Sequence, residues 1–559
     1  MPTPDPADET RRLLRDADIE DETRRLLRDA DIEVIRVDER RFPGERWLIV
    51  FVPMESLTVA QSLAGTIEQH LNSLFSNDSS LFTVVFRVPS DIAQNIENAV
   101  DGGRLAREDV TRLIQLLEAR SRTSDALPSL SFVEDPRVSL AAVVASRHHL
   151  IYGRRGVGKT TLLLEAKRIA ENSGHISVWI NAHVLRRLDA TRSFIEVAAS
   201  VLEALINHGG SSNSPAFQDL SNLRSKLREL SGESLTAGDI AGAIPSINRG
   251  LRRVLAYDVL RLYLFVDDFY LLPADVQPQF LDYVFGMLRD ADGWIKVASI
   301  ERLTRPFEPS TKTGLEIPHD ASRIDLDITL EDPRAAQHFL ESVLASYTAT
   351  AGVKQPSSIA KPEALSRLVI ASGGVPRDYL NLFASSIVVA RGSRPQAREI
   401  GREDVAKAAN ESSQSKKRDL EQDVSSEASG LLLAALERVS SFVKGEGYAY
   451  FRVDIAENNR SGYKLLAQLV DLRFMHLIQS SLSDQSKAGV KYEAYILDLS
   501  EYAGVRLKRS LEVLDLEAGA WFSRLTGKAG SKEKLVGTKL RDKLRRAPLV
   551  HVDEVLLND

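Results

Sequence analysis

Residues Gly153–Thr160 read GRRGVGKT and carry the most specific chemistry in the sequence. They satisfy G-x-x-x-x-G-K-[ST] at every fixed position. Glycines let backbone N–H groups approach phosphate oxygens, the lysine reaches the outer phosphates, and the hydroxyl suits a divalent cation. The context fits, with an apolar strand pattern (HLIY) before the motif and a Leu-rich helix pattern (TTLLLEAKRIA) after it. The spacing predicts a nucleoside-triphosphate loop in which Gly153, Gly156, Val157, Gly158, Lys159, Thr160 and Thr161 line the phosphates. Lys159 would hold the β- and γ-phosphates of ATP, and Thr160 would ligate Mg²⁺.

Two further segments belong to that chemistry. Leu262–Tyr270 reads LYLFVDDFY, a buried-strand pattern ending in two acids. Asp267 is the candidate to hold Mg²⁺ through water, and Asp268 to orient or activate the attacking water. Trp294–Ile300 (WIKVASI) places Ser299 near a strand end, where it could sense the γ-phosphate or be a plain hydroxyl. Strand C-termini of a parallel sheet line the nucleotide crevice, so all three segments can meet there.

The elements that must position them follow from the pattern downstream of Leu127. Short apolar runs (His149–Tyr152, His175–Asn181, Leu262–Asp267, Trp294–Ile300) alternate with longer helical stretches, which implies parallel strands with crossover helices. Gly209–Pro215 reads as a loop, and Glu331 to about Ser413 as helices only. A chain of 559 residues is too long for one core and predicts three or four domains, at about 150 residues each. Zero cysteines exclude disulfides, thiol nucleophiles and Cys-based metal sites. A net charge of -6 excludes a globally basic nucleic-acid coat protein. No apolar run reaches the length of a membrane span, so a cytoplasmic protein without a membrane partner is expected.

Together GRRGVGKT, FVDDFY and the segment ASGGVPRDYLNLFASSIVVARG followed by REDVAKAAN resemble the AAA+ ATPases, within them the origin-recognition and replication-initiator clade. The likeness spans roughly Leu127 to Tyr502. It implies an α/β fold: a P-loop parallel-sheet ATPase core, a helical lid, a small N-terminal α/β domain and a C-terminal winged helix. By resemblance, Gly374 and Pro376 set the start of a lid helix whose Arg377 touches the γ-phosphate. For an arginine finger toward a neighbouring subunit of a homo-oligomer, Arg323 is preferred over Arg305, a surface salt bridge being the competing reading. The pair Asp267-Asp268, where the clade often has Asp-Glu, resembles the STAND signalling ATPases and implies slow turnover. Both groups also bring a role in antiviral or genome defence into view, by resemblance only.

The expected boundaries are a duplicated charged segment (1–33), a small α/β interaction domain (34–125), the ATPase core (126–330), the lid (331–413), a winged-helix domain (414–515) and a basic tail (516–559). In the winged-helix domain Leu431–Val443 reads as a helix, while a recognition-type helix Ser461–Asp471 and a two-stranded wing of Phe474–Ser480 and Val490–Leu497 would face DNA. Arg460, Lys464, Arg473, Lys487 and Lys491 are the candidate phosphate contacts. Arg524–Arg546 adds nine Lys or Arg against two acids, a local charge of +7. The alternative is a solvated tail on a protein-binding winged helix. Two decoys carry nothing: Leu230–Glu233 (LSGE) lacks most of the ABC-transporter signature, and His148-His149 point to opposite faces of a strand.

In the N-terminal domain, Arg46–Val52 and Phe82–Val88 read as strands. Leu57–Phe75, Ile92–Val100 and Arg107–Arg120 read as helices, with no catalytic constellation and an unknown protein partner. Before it, DETRRLLRDADIE occurs twice without change, at Asp8–Glu20 and Asp21–Glu33. Thirteen residues rotate a helix by roughly 220° beyond whole turns, so the two copies do not share one apolar stripe. A tolerated duplication is the plain reading, a partner-binding arm the other. The functional expectation is an ATP-binding, slowly hydrolysing switch that couples nucleotide state to DNA binding and self-assembly. The alternative is a signalling scaffold in which ATP drives oligomerisation without direct DNA binding.

Overall fold

A computed structural model describes residues 19–30, 32–42, 45–53, 56–75, 81–87, 103–119, 132–134, 140–209, 215–230, 236–257, 260–423, 426–503, 510–526 and 532–557. The chain forms two compact units. The first runs to Leu130 and takes in Ser346–Ile359 and Ala390–Glu399, two stretches that sequence places in the lid. The second holds everything else.

In the first unit, β1 (Arg36–Phe42) pairs antiparallel with β2 (Glu45–Phe51), and β2 pairs parallel with β3 (Leu81–Arg87). The helix Leu57–Leu74 makes the crossover that a parallel pair requires. Leu48, Val50, Phe82, Val84 and Phe86 form its core with Ile67 and Leu71 of that helix. The expected strands and crossover helix are present, but β1 (RVDERRF) went unread because its charges hide any apolar alternation. Its Glu39 carboxylate instead receives the buried Arg46 guanidinium at 2.6 Å. A helix over 19–29 begins with the last two residues of the first repeat and runs through the second, with Ile19, Leu27 and Ile32 in the same core. The helix Glu108–Ala119 is also present; Arg391 donates to Leu105 O and to Thr111 Oγ1 to hold this region. Residues 8–18 and Ile92–Val100 lie outside the described residues.

The second unit is built on a five-stranded sheet: β4 (His148–Tyr152), β5 (Ile176–Asn181), β6 (Leu262–Asp267), β7 (Gly293–Ser299) and β10 (Ala321–Asp325). Between them lies the short hairpin β8 (Phe307–Glu308) and β9 (Thr313–Gly314). The sheet order is β10-β4-β7-β6-β5, every pair parallel. β6 is buried at all six positions, as a central strand covered on both faces must be. One face packs on Lys159–Asn172, with Val375 from the lid joining that core. The other packs on Ala190–Gly209, Ala237–Tyr257 and Gln277–Leu288. This wiring brings Tyr152, Asp267, Ser299 and Asp325 to one edge of the sheet.

Lid helices Pro333–Ala351, Pro362–Ser372, Pro376–Ser393 and Arg402–Asp423 follow. The winged-helix region has helices Ser426–Gly445 and Ser461–Asp471 and a sheet of β11 (Tyr450–Asp454), β12 (Met475–Ser483) and β13 (Lys491–Leu497), ordered β11-β13-β12. The expected basic tail is folded. β14 (Glu512–Glu517) and β15 (Ala520–Leu525) form a hairpin across the expected boundary at 516, and β16 (Glu533–Lys534) extends it. Trp521, Leu535, Val552 and Leu556 are buried, which is what orders a segment whose charge alone reads as a solvated tail.

Candidate functional site

The loop between β4 and the helix Lys159–Asn172 needs its glycines for two different reasons. Gly158, at φ 104°, turns the chain into the helix, with open space where a Cβ would stand. Gly156, at φ 88°, lies against the lid: a Cβ there would come within 2.8 Å of Arg377 Cβ. Lys159 is buried, and its ammonium donates to Gly153 O at 2.7 Å and Arg154 O at 3.1 Å. Burial pulls the Lys159 pKa down, while Asp327, Asp268 and Asp267 oppose the shift. Val157 is buried beneath the loop, and Thr161 sits in the first helical turn.

The acids arrive as the spacing predicts. The Thr160 hydroxyl donates to Asp267 Oδ2 at 2.7 Å, joining the helix start to the end of β6. Asp268 turns the chain at φ 52°, and its N–H donates to Asp267 Oδ1 at 3.0 Å. Burial, and then the neighbouring Asp268, push the Asp267 carboxyl up to about 6. A hydroxyl and a carboxylate are hard oxygen donors, and a buried carboxylate with a raised pKa gains from a cation. This donor set fits Mg²⁺. Among the described residues no cluster of three or more His, Asp or Glu forms a separate metal site.

Ser299 is fully buried at the end of β7, with its hydroxyl 2.5 Å from Thr304 Oγ1. Thr304 in turn donates to Ile300 O at 2.6 Å, so a pair of hydroxyls, not one, stands at this strand end. Arg377 is the second residue of the lid helix Pro376–Ser393; its N–H donates to Gly156 O at 3.2 Å and its side chain is exposed. The structure thus brings Lys159, Thr160, Asp267, Asp268 and Arg377 to one loop.

Arg323 stands apart, on β10 at the sheet edge. It is half-exposed, pairs with Glu301 at 2.5 Å and Asp325 at 3.3 Å, and lies over the Tyr152 ring. Arg305 pairs with Glu308. His148 Nδ1 accepts from Ile295 N–H at 3.1 Å, and His149 Nδ1 lies 2.9 Å from the Lys296 ammonium, so the two histidines serve separate core contacts.

Arg154 and Asp327 escaped sequence reasoning. Arg154 occupies a free slot of the loop motif, yet it is buried. Its N–H and Nε both donate to Asp327 Oδ1, at 2.9 and 3.1 Å, and Nη2 donates to Ile328 O and Gly373 O. A cation in a slot where any residue is tolerated was the available signal. Arg155 lies over the Tyr270 ring at 5.3 Å.

The C-terminal cations divide into two groups. Arg473 is no phosphate contact: at φ 66° it turns the chain after the Ser461–Asp471 helix, and Nη1 donates to Asp378 of the lid at 2.5 Å. Arg460 lies 3.9 Å from Asp553. Lys464, Lys487 and Lys491 are exposed, and none has a side-chain partner among the described residues. In Arg524–Arg546, Arg524 faces Asp515 and Glu517, Lys532 faces Glu517, Lys539 Glu533, Lys543 Glu512 and Arg545 Asp542. Lys534, Arg541 and Arg546 are exposed without an ion pair among the described residues, outside which Lys528 lies.

No family profile matches the sequence, and no curated protein matches it. Among solved structures, Cdc6p from Pyrobaculum aerophilum is similar over 66% of this chain and 93% of its own, at 13% identity and a TM-score of 0.32. The Aeropyrum pernix Orc1 protein, solved in complex with DNA, is similar over 67% and 93%, at 15% identity and a TM-score of 0.34. The Thermotoga maritima RuvB Holliday junction branch migration motor is similar over 48% and 65%, at 15% identity and a TM-score of 0.26. The chain is thus similar to the Cdc6p and Orc1 structures over about two thirds of its length and to the RuvB structure over about half.

Proposed function

We propose that this chain is an ATP-binding, slowly hydrolysing switch that couples nucleotide state to DNA engagement and self-assembly in the cytoplasm. One observation carries the reading: the Thr160–Asp267 hydrogen bond, which sets a metal-ligand pair beside the buried Lys159 beneath the lid residue Arg377. When bound, Mg²⁺ supplies charge neutralisation between the phosphates. The chain's own part is to hold it with Thr160 and Asp267, to fix the outer phosphates with Lys159, and to place the Asp268 carboxylate beside the attacking water. Arg377 would report the γ-phosphate to the lid, with Ser299 and Thr304 at the neighbouring strand end. Arg323 is left for contact with a second copy, which requires breaking its pairs with Glu301 and Asp325.

DNA contact falls to Lys464 on the Ser461–Asp471 helix, Lys487 and Lys491 on the wing, and Lys534, Arg541 and Arg546 beyond it. Arg545 Nε donates to Ser483 O, which holds the C-terminal helix beside the wing. The ion pairing of five of the nine C-terminal cations favours the second reading, a signalling scaffold that binds protein instead. Fluorescence anisotropy on a labelled duplex separates the two, with ATP, ADP or no nucleotide, for the wild type and Lys159→Ala. The switch requires binding that responds to ATP only in the wild type. Absence of binding at low salt leaves the scaffold.

A further inference from the structure

We propose that Arg154 is a positioning residue that ties the winged-helix region to the conformation of the phosphate loop. The inference rests on the ATP-site reading above and adds the route by which the loop reaches the DNA-facing region. Within the Gly153–Thr160 loop, the Arg154 side chain hydrogen-bonds both to the segment entering the lid and to the turn before the lid helix. Its backbone N–H and Nε share Asp327 Oδ1, so loop and side chain are fixed to one carboxylate. Nη2 then bridges Ile328 O at 2.9 Å and Gly373 O at 3.1 Å. A planar guanidinium holds its donors in a rigid fork, so a shift of the loop backbone is delivered to Gly373 through one stiff group.

Gly373 is where the winged-helix region rests. It caps the helix Pro362–Ser372 at φ 57°, and a Cβ there would lie 2.1 Å from Nδ1 of His476 on β12. His476 is buried, with Nε2 3.3 Å from Asp498 Oδ2. Two more ties run in parallel. Asp378, next to Arg377, receives Arg473 and has Lys416 at 3.4 Å, and Glu331 Oε1 accepts from Ser480 N–H at 2.6 Å. The Arg154 tie differs from these in starting inside the phosphate loop.

The test is hydrogen–deuterium exchange on the full chain with Mg-ATP, with Mg-ADP and without nucleotide, read in peptides covering 360–375 and 472–480. Wild type should show different exchange in ATP and ADP in both peptides. Arg154→Ala should keep ATP affinity within about threefold yet reduce that difference at least about fivefold, the lower end of allosteric coupling. Arg154→Lys keeps the charge without the fork and should restore only part of it. Gly373→Ala approaches from the other side, its Cβ displacing His476, and should give the same loss with the loop intact. A wild-type ATP–ADP difference in Arg154→Ala overturns the proposal. If that variant fails to fold, a retained difference in Gly373→Ala overturns it instead. A wild type that binds no ATP overturns the site reading and this inference with it, an outcome distinct from both.

Discussion

In the phosphate loop, Lys159 and Arg154 are almost wholly buried and bond to backbone carbonyls a few residues away or across the lid hinge. In Arg524–Arg546 the cations are mostly exposed or half-exposed, and five of nine face carboxylates. The first arrangement concentrates positive charge at one point with its geometry already set. The second disperses it, so that a segment of formal charge +7 presents a much weaker field than its composition implies. A motif with fixed spacing therefore conveys geometry, whereas a count of cations leaves open which acids stand beside them.

The contrast can be broken most directly at Lys159. Lys159→Ala should weaken ATP binding by about 100-fold or more, since a desolvated charge-assisted contact is worth about 2–4 kcal/mol, as isothermal titration calorimetry would read. Asp267→Asn should lower hydrolysis about 100-fold while stabilising the second unit by roughly 1–3 kcal/mol at pH 8. The sign follows from a folded pKa raised to about 6 from 3.8. The stabilisation from protonating Asp267 is full below about 4 and is lost as pH rises through about 6. The gap between urea melts of wild type and Asp267→Asn should accordingly shrink to roughly half between pH 8 and pH 5, and equal separation at both pH values would refute the raised carboxyl.

Arg377→Ala is expected to lower ATP affinity roughly tenfold while leaving ADP affinity unchanged, so that ATP-over-ADP discrimination falls by the same factor, a coupling of ordinary size. Calorimetry with both nucleotides decides it; an unchanged ratio removes Arg377 from the lid response. The C-terminal half of the comparison sharpens with a pair of variants. Lys534→Ala/Arg541→Ala/Arg546→Ala should lower the salt slope of duplex binding by about 2–3, at roughly 0.9 per phosphate contact. Arg524→Ala/Lys543→Ala should leave that slope unchanged and reduce stability by about 1 kcal/mol or less per pair. The smallest effect belongs to Arg323→Ala, about 0.5 kcal/mol or less in a melt. A fall in ATPase rate of tenfold or more, dependent on protein concentration, would mark Arg323 as acting on a neighbouring copy.

Those differences mirror what the sequence could reveal. GRRGVGKT and LYLFVDDFY were legible because each combines invariant chemistry with an apolar strand that burial demands. The pairing of Thr160 with Asp267 followed, although 107 positions separate them. Helix Ser461–Asp471 was readable to the residue from its apolar spacing. Arg154 was not, since the motif leaves its slot open and its partner Asp327 lies 173 positions downstream. Arg473 misled for the same reason: a cation after a recognition-type helix looks DNA-facing until Asp378, 95 positions upstream, is found beside it. β1 hid behind charges paired across the sheet, and the folded C-terminus behind a net charge that ignores Glu512, Asp515 and Glu517.

The duplicated N-terminal segment gains a different meaning from Ile19. That side chain is 1% exposed in the core of the first unit, and its carbonyl accepts the Thr23 hydroxyl at 2.8 Å. Yet Ile19 and Glu20 close the first copy, so the seam of the repeat is not the seam of the fold. Excising either copy yields one and the same shorter protein, in which Pro6 and Ala7 would directly precede DETRRLLRDADIE. A proline would then stand in place of a buried isoleucine and remove about 1.5–3 kcal/mol of apolar burial. The first copy thus hands its closing residues, Ile19 and Glu20, to the helix that the second copy continues, and the two copies are unequal in use although identical in letters.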